Sequence, residues 1–231
     1  PKAGDYDAAT RRILETAIEF YHILLLLEDP FPESHVKTDW VKGAWDMSCQ
    51  YYKSTDASLN PALIRLASSF FSNLRGQFKT KARSVVATSY GFEMGDGIAT
   101  RERNRDLAAE LKFKSAFTFR ELHPRRMGIY KNKAIQQAIN EVLFKNKGDE
   151  GIKWAEYYDP FPRVAFALTL TAFECALDEW ASGKRESITF KEDSYKGIYI
   201  QHMKTLKYFH QQTEEFNILP AVLEQVYSNG R

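Results

Sequence analysis

The chain has 231 residues, of which 44% are apolar and 27% are charged, and its formal net charge is +2. This length and composition exclude a disordered chain and are sufficient for a substantial hydrophobic core. The longest apolar stretch, residues 164–177, is too short for a bilayer span and contains Glu174, so we expect no membrane-spanning segment. No signal-peptide pattern opens the sequence, which predicts an intracellular protein, nuclear or cytoplasmic.

Helical patterns recur along the chain and strand patterns are scarce. The sequence predicts an all-α fold: a single globular domain over residues 1–231, with seven to eight helices around a buried central helix and residues 1–7 as a linker edge. Asp7, Asn60, Thr100 and Thr189 are expected to cap helix N-termini. The predicted helices cover approximately residues 8–28, 34–53, 61–90, 100–114, 131–145, 164–180, 189–215 and 219–227.

The segment VAFALTLTAFECALDEW, residues 164–180, is apolar around most of its helical circumference. Thr171, Glu174 and Asp178 follow at i, i+3 and i+7 and form one narrow polar seam. Because buried carboxylates need a partner, we hypothesise that Lys81, or another cation of its helix, pairs with Glu174 or Asp178. Paired carboxylates also suit general acid–base chemistry, which makes Glu174, Asp178 and Lys81 the candidate catalytic residues, although a structural ion pair is the favoured reading.

Basic residues concentrate in the middle of the chain. Residues 75–147 contain 16 Lys or Arg and 7 Asp or Glu, a net charge of +9, whereas the remainder has a net charge of −7. A basic surface can bind an anionic partner, or it can pair with acidic residues of its own chain. The candidate anion-binding residues are Arg75, Lys79, Arg83, Arg101, Arg103, Arg105, Arg125 and Arg126. The first three follow at i, i+4 and i+8 on one helix face, which predicts a row of cations able to track a phosphate backbone.

The three phenylalanines Phe113, Phe117 and Phe119 alternate with cations in this basic region. Cations mixed with aromatic rings suit single-stranded nucleic acid or an acidic protein segment. The alternative places the rings inside and the charges in solvent, and the sequence leaves both readings open.

Metal and cofactor motifs are not convincing. Glu19-x-x-His22 is half of a carboxylate-bridged di-metal motif, but no second Glu-x-x-His follows. We expect this pair on the solvent-facing side of its helix. His202 lies in an apolar stripe and is expected to be a core histidine with satisfied hydrogen bonds. The chain has no P-loop and no G-x-G-x-x-G motif, so we predict neither a metal nor a cofactor.

The tract FKNKGDEGIKWAEYYDPFPRVAFALTLTAFECALDEWASG, from Phe144 onward, resembles an uncharacterised domain family of mushroom-forming basidiomycete fungi. Members of that family carry a similar FKNK-DEG, EY-x-P-x-P and LTA-EC-x-DEWA-G series. The earlier segment LRGQFKTKARSVVATSYGF is similar to its middle helix. The resemblance implies a fungal intracellular protein, and it transfers no activity.

The favoured function is a non-catalytic interaction module whose basic region, residues 75–147, engages nucleic acid or an acidic protein segment. One alternative is an enzyme of unknown class that uses a cleft beside Thr171, Glu174 and Asp178. Another alternative is a structural oligomerisation domain.

Overall fold

A computed structural model describes residues 3–54, 58–69 and 71–231, without the side chains of residues 3, 67–69, 71 and 72. Within these residues the chain forms α-helices and no β-strand, which confirms the all-α prediction. The helices are α1 Ala8–Leu27, α2 Ser34–Tyr52, α3 Pro61–Ser69, α4 Phe71–Ser89, α5 Ile98–Lys112, α6 Lys133–Leu143, α7 Glu150–Lys153, α8 Arg163–Asp178, α9 Glu192–Gln212 and α10 Ile218–Ser228. The described helices exceed the predicted eight because α7 forms where we expected a turn, and because α3 and α4 lie on either side of Phe70, which is outside the described residues.

Two of the predicted N-caps are confirmed and two are wrong. Asp7 accepts hydrogen bonds from the amides of Ala9 and Thr10, and Asn60 accepts from those of Ala62 and Leu63. Thr100 is instead inside α5, because the extended backbone of Gly97 already begins that helix. Thr189 does not cap α9, since its carbonyl accepts from the amide of Lys191 and helical geometry starts only at Glu192.

Contacts group the chain into two compact units, Pro1–Arg75 and Gly76–Arg231. The single-domain boundary read from the sequence stays a prediction. In the first unit α1 packs against α2, and the buried Ser48 hydroxyl donates to the Ile13 carbonyl at 2.8 Å. His22 is buried in α1, so the prediction that it lies on the solvent-facing side of the helix is wrong.

Helix α8 is the core of the second unit. Every residue from Ala165 to Leu177 is buried, as the sequence predicted for a central helix. Phe173 stacks on Phe117 with ring centroids 5.9 Å apart, and both rings are fully buried. Burying such a side chain contributes about 1.5–3 kcal/mol, so this helix is a large source of the stability of the unit.

The chain after α8 turns back on itself at Gly183. This residue has a φ of +84°, and a Cβ there would clash with the carbonyl oxygen of Arg101, so both backbone conformation and space favour glycine. The turn returns the backbone to the end of α8, where the amides of Glu186 and Ile188 donate to the carbonyl and the carboxylate of Glu179. None of the helices in the described ranges combines the length and the hydrophobicity that a bilayer span requires.

Candidate functional site

The carboxylate of Glu179 gathers two of the cations predicted to bind phosphate. Glu179 is 1% exposed and accepts from Lys79 Nζ, from Arg83 Nε and Nη2 at 2.7 and 2.6 Å, and from the amide of Ile188 at 3.1 Å. Although burial favours the neutral acid, the contacts with Arg83 and Lys79 outweigh it and lower the pKa of Glu179. Lys79 is itself only 7% exposed, so this pair of charges lies inside the second unit.

Arg75, the third member of that basic row, belongs to the first unit. Its Nη1 donates to the carbonyl of Pro30 at 2.8 Å, and its guanidinium lies 4.9 Å from the ring centroid of Phe31. Arg75, Lys79 and Arg83 therefore each have a partner within the chain, and they do not form a solvent-facing row.

The polar seam of α8 has a different cation from the one predicted. Lys112, the last residue of α5, contacts Asp178 and lies 3.6 Å from Glu174 Oε2. Lys81 instead lies 3.3 Å from Glu141, so the pairing predicted for it is wrong. Burial opposes the charged form of Lys112, but its two carboxylate partners raise its pKa. Thr171, also in the seam, donates its hydroxyl back to Ala167 within the helix.

A cavity of about 550 Å³ opens beside this ion pair. Its wall is built from the end of α5 and the segment that follows, from residues 129–130, from Glu174 of α8 and from one face of α9. The lining residues are Lys112, Lys114, Ser115, Thr118, Phe119, Ile129, Tyr130, Glu174, Ile198, Gln201, His202 and Thr205. A pocket of this size, largely apolar with a few polar groups, is typical of a ligand site.

His202 and Glu174 are two buried titratable groups of the cavity, both on its α8 and α9 side. His202 Nε2 is sealed from solvent, has no hydrogen-bond partner in the described part of the chain, and lies 3.7 Å from Glu174 Oε1. Burial lowers the pKa of His202 to about 4, which leaves the imidazole neutral at physiological pH, and burial raises the pKa of Glu174. The expectation of a histidine with satisfied hydrogen bonds is wrong. Because its lining offers the carboxyl of Glu174 and the ammonium of Lys112, the cavity can exchange hydrogen bonds with a guest.

The segment after α5 carries aromatic rings and cations at the edge of this cavity. Phe113 is 61% exposed, while Phe117 is buried and Phe119 is intermediate, so the alternative that places the rings inside holds for Phe117 and not for Phe113. The Arg126 guanidinium lies 5.6 Å from the ring centroid of Phe113 and 5.8 Å from that of Phe119. Lys114 Nζ lies 5.3 Å from the Phe113 ring centroid. We call these four residues, Phe113, Lys114, Phe119 and Arg126, the cation–aromatic cluster.

The backbone that presents the cluster adopts an unusual conformation. Lys114 and Ser115 have φ values of +51° and +50°, in the left-handed region that non-glycine residues rarely occupy. Such a residue costs on the order of 1 kcal/mol, and this strain is found more often at functional sites than elsewhere. Here it ends α5 and sends the chain along the rim of the cavity.

A second concave feature, a groove of about 710 Å³, runs between α6 and α10. Four cations line it, Arg120, Lys131, Lys133 and Lys145, together with six side-chain amides. The acid in its lining, Glu141, is held by Lys145 and Lys81, whose contacts lower its pKa. The amides are those of Asn132, Gln136, Gln137, Asn140, Gln225 and Asn229.

The three arginines of α5 named from the sequence are exposed and pair with exposed acids. Arg101 contacts Asp96 at 3.2 Å, Arg103 contacts Glu93 at 2.6 Å, and Arg105 contacts Asp106 at 3.5 Å. Exposed pairs of this kind contribute little, about 0–1 kcal/mol, so they do not withdraw these arginines from an anionic partner. Arg125 is exposed and makes no ion pair within the described residues.

Within the described ranges no group of three or more His, Cys, Asp or Glu side chains could hold a metal ion. Several site residues escaped sequence reasoning because they meet only in the folded chain. Lys112 reads as an ordinary C-terminal cation of α5, and Glu179 reads as one acid of a charged helix end. The apolar stripe around His202 predicted its burial, but no local pattern indicated that its Nε2 would lack a hydrogen-bond partner.

A family model described as a domain of unknown function, DUF6532, matches residues 16–209. The chain therefore belongs to this family. No curated protein and no solved structure matches the chain.

Proposed function

We propose that this member of the DUF6532 family is a non-catalytic module that binds single-stranded nucleic acid through its basic region. The observation that carries the proposal is a set of cations with no acidic partner in the described part of the chain. This cationic surface consists of Lys114, Arg125, Arg126, Lys131 and Lys133. Unpaired surface cations are available to replace the counterions of a phosphate backbone.

The local charge supports this choice. Residues 113–133 contain six Lys or Arg against a single acid, Glu121. The groove between α6 and α10 continues the surface through Lys131 and Lys133, and its amides can hydrogen-bond phosphate and sugar oxygens.

The exposed ring of Phe113 favours a single strand over a duplex. Bases of a single strand can stack on an aromatic side chain, whereas those of a duplex are already stacked on one another. Lys114 and Arg126 lie over this ring, 5.3 and 5.6 Å from its centroid, so the phosphates next to a stacked base would meet cations. The proposal includes an intracellular location, nuclear or cytoplasmic, which the two free cysteines support.

The test is fluorescence anisotropy with labelled RNA and DNA strands of about 12 nucleotides. If three or four phosphates are neutralised, Kd should rise about 20- to 50-fold between about 50 and 200 mM KCl. The double substitution Lys131→Ala, Lys133→Ala should reduce the slope of log K against log salt by about 1.4. The matched control removes two exposed cations of α9, Lys204→Ala and Lys207→Ala, and should leave the slope unchanged.

A second variant separates stacking from charge. Phe113→Ala should weaken binding by about 1–3 kcal/mol without changing the salt slope, and Phe216→Ala, which removes an equally exposed ring of the same unit, should have no effect. Absence of binding at low salt would refute the proposal. So would equal slopes for the two double variants. If an oligoglutamate peptide binds more tightly than the strands and with the same sensitivity to these variants, the partner is an acidic protein segment.

A further inference from the structure

We propose that the cavity beside Glu174 receives one unstacked base of the bound strand and prefers bases that carry an exocyclic amino group. This inference rests on the proposed function, because it names what the same region selects. Two residues, Lys114 and Phe119, belong both to the cation–aromatic cluster and to the lining of the cavity. A strand that crosses the cluster therefore passes the mouth of the cavity.

The dimensions and the wall of the cavity suit a planar heterocycle. Its volume of about 550 Å³ lies within the range of about 300–1,000 Å³ found for small-molecule sites. Phe119, Ile129, Tyr130 and Ile198 supply ring and aliphatic surface. Proteins that bind single strands commonly hold splayed bases against such side chains.

Hydrogen-bonding groups inside the cavity provide the selection. Glu174 is an acceptor, and a carboxylate can take a hydrogen bond from the amino group of cytosine, adenine or guanine. Uracil and thymine have a carbonyl oxygen at the position of the cytosine amino group, and two acceptors facing each other repel. Nε2 of His202 lies 3.7 Å from the same carboxyl and is sealed from solvent, so a small movement of the imidazole would bring it to the edge of a base held by Glu174.

Lys112 completes the set. Its ammonium lies 3.6 Å from Glu174 and lines the cavity, where it can donate to a ring carbonyl or a ring nitrogen of the guest. The imidazole nitrogen is buried, and the described residues give it no partner, whereas buried polar atoms in folded proteins are nearly always hydrogen-bonded. A small movement of the imidazole would let a bound base satisfy this atom.

The first experiment compares oligo(rC), oligo(rA) and oligo(rU) of about 12 nucleotides by anisotropy at one salt concentration. We expect oligo(rC) and oligo(rA) to bind at least about tenfold more tightly than oligo(rU). Glu174→Gln should bring oligo(rC) to within about twofold of oligo(rU) while oligo(rU) keeps its affinity, because the surface contacts are unchanged. The control Glu224→Gln changes an exposed acid of α10 outside the cavity and should preserve the preference.

The second experiment uses the unmodified protein, so it does not depend on how a variant folds. The imidazole proton and carbon resonances of His202, assigned by their loss in His202→Gln, are followed by NMR during titration with cytidine 5′-monophosphate and then uridine 5′-monophosphate. The cytidine nucleotide should shift the His202 resonances, and those of His210, which lies outside the cavity, should not move.

The results separate this inference from the proposed function. Equal affinities for the three strands, with His202 unmoved by the cytidine nucleotide, would overturn the base pocket while salt-dependent binding of the strands left the proposed function standing. Loss of all strand binding together with a shifted His202 would refute the surface proposal and retain the cavity as a nucleotide site.

Discussion

Glu179→Gln should strongly destabilise the second unit, because it removes the only negative charge in the cluster formed with Lys79 and Arg83. The amide keeps the shape of the side chain but leaves two cations, one of them 7% exposed, without their counter-ion. Removing one partner of a buried ion pair costs about 3–5 kcal/mol. Since domains are stable by about 5–15 kcal/mol, this change would remove a large part of the total.

The assay is urea unfolding combined with hydrogen exchange of peptides from α8, which reports the second unit directly. The corresponding fall in Tm is about 6–20 °C for a chain of this size. The control Glu186→Gln alters an exposed acid seven residues later. In the described part of the chain its carboxylate accepts a hydrogen bond from the Ser182 hydroxyl, and the substitution should change stability by less than about 0.5 kcal/mol.

The pH dependence provides an internal check on this explanation. The partners of Glu179 lower its pKa, so its contribution is present above the ordinary value of 4.5 and is lost as the pH falls toward the folded pKa. The stability difference between the wild type and Glu179→Gln should therefore shrink as the pH falls below 4.5. A difference under about 1 kcal/mol at pH 7, or one that is independent of pH, would show that the cluster does not hold α4 against the end of α8.

Two further predictions concern buried polar groups. Burial lowers the pKa of His202 from 6.5 to about 4, so between these pH values the imidazole binds a proton in the unfolded chain but not in the folded chain. The free energy of unfolding should therefore fall by about 3 kcal/mol between pH 6.5 and 4. His202→Leu should remove this fall of the unfolding free energy with pH, measured by urea titrations. The raised pKa of Glu174 contributes in the opposite direction, but it is present in both proteins and cancels in the comparison. The same pH dependence in both proteins would contradict the role given to His202. Ser48→Ala should destabilise the first unit by about 1 kcal/mol, because it removes the buried hydrogen bond to the Ile13 carbonyl. Hydrogen exchange of α1 measures this loss. The control Thr38→Ala removes a hydroxyl that donates to Ser34 within α2, and it should have a smaller effect.

Local patterns along the chain were sufficient to predict most helices. The apolar residues of α8 predicted a helix buried on all sides. Its observed range, Arg163–Asp178, starts one residue before the start of the predicted range 164–180 and stops two residues before its end. Asp7 and Asn60 were predictable because a capping side chain acts on amides only two or three residues away. Interactions within one helical turn can be read from spacing.

Partnerships across the chain could not be predicted in this way. Lys81 and Lys112 have the same charge and similar neighbours, and only the packing of α5 against α8 brings Lys112 to the polar seam. The sequence predicts Lys79 in a row of cations on one helix face, but tertiary packing buries it against Glu179, which lies 100 positions later. The cavity could not be predicted either, because residues from four separate segments form its wall.

The cluster around Glu179 has a consequence for dividing the protein into fragments. Any piece that contains residues 79–83 and stops before residue 179 retains two cations without the carboxylate that neutralises them. The shortest piece able to keep this arrangement runs from the start of α4 through Ile188, whose amide also contacts the carboxylate. Shorter fragments are expected to remain unstructured in this region, and limited proteolysis should spare the intervening chain until one of those ends is released.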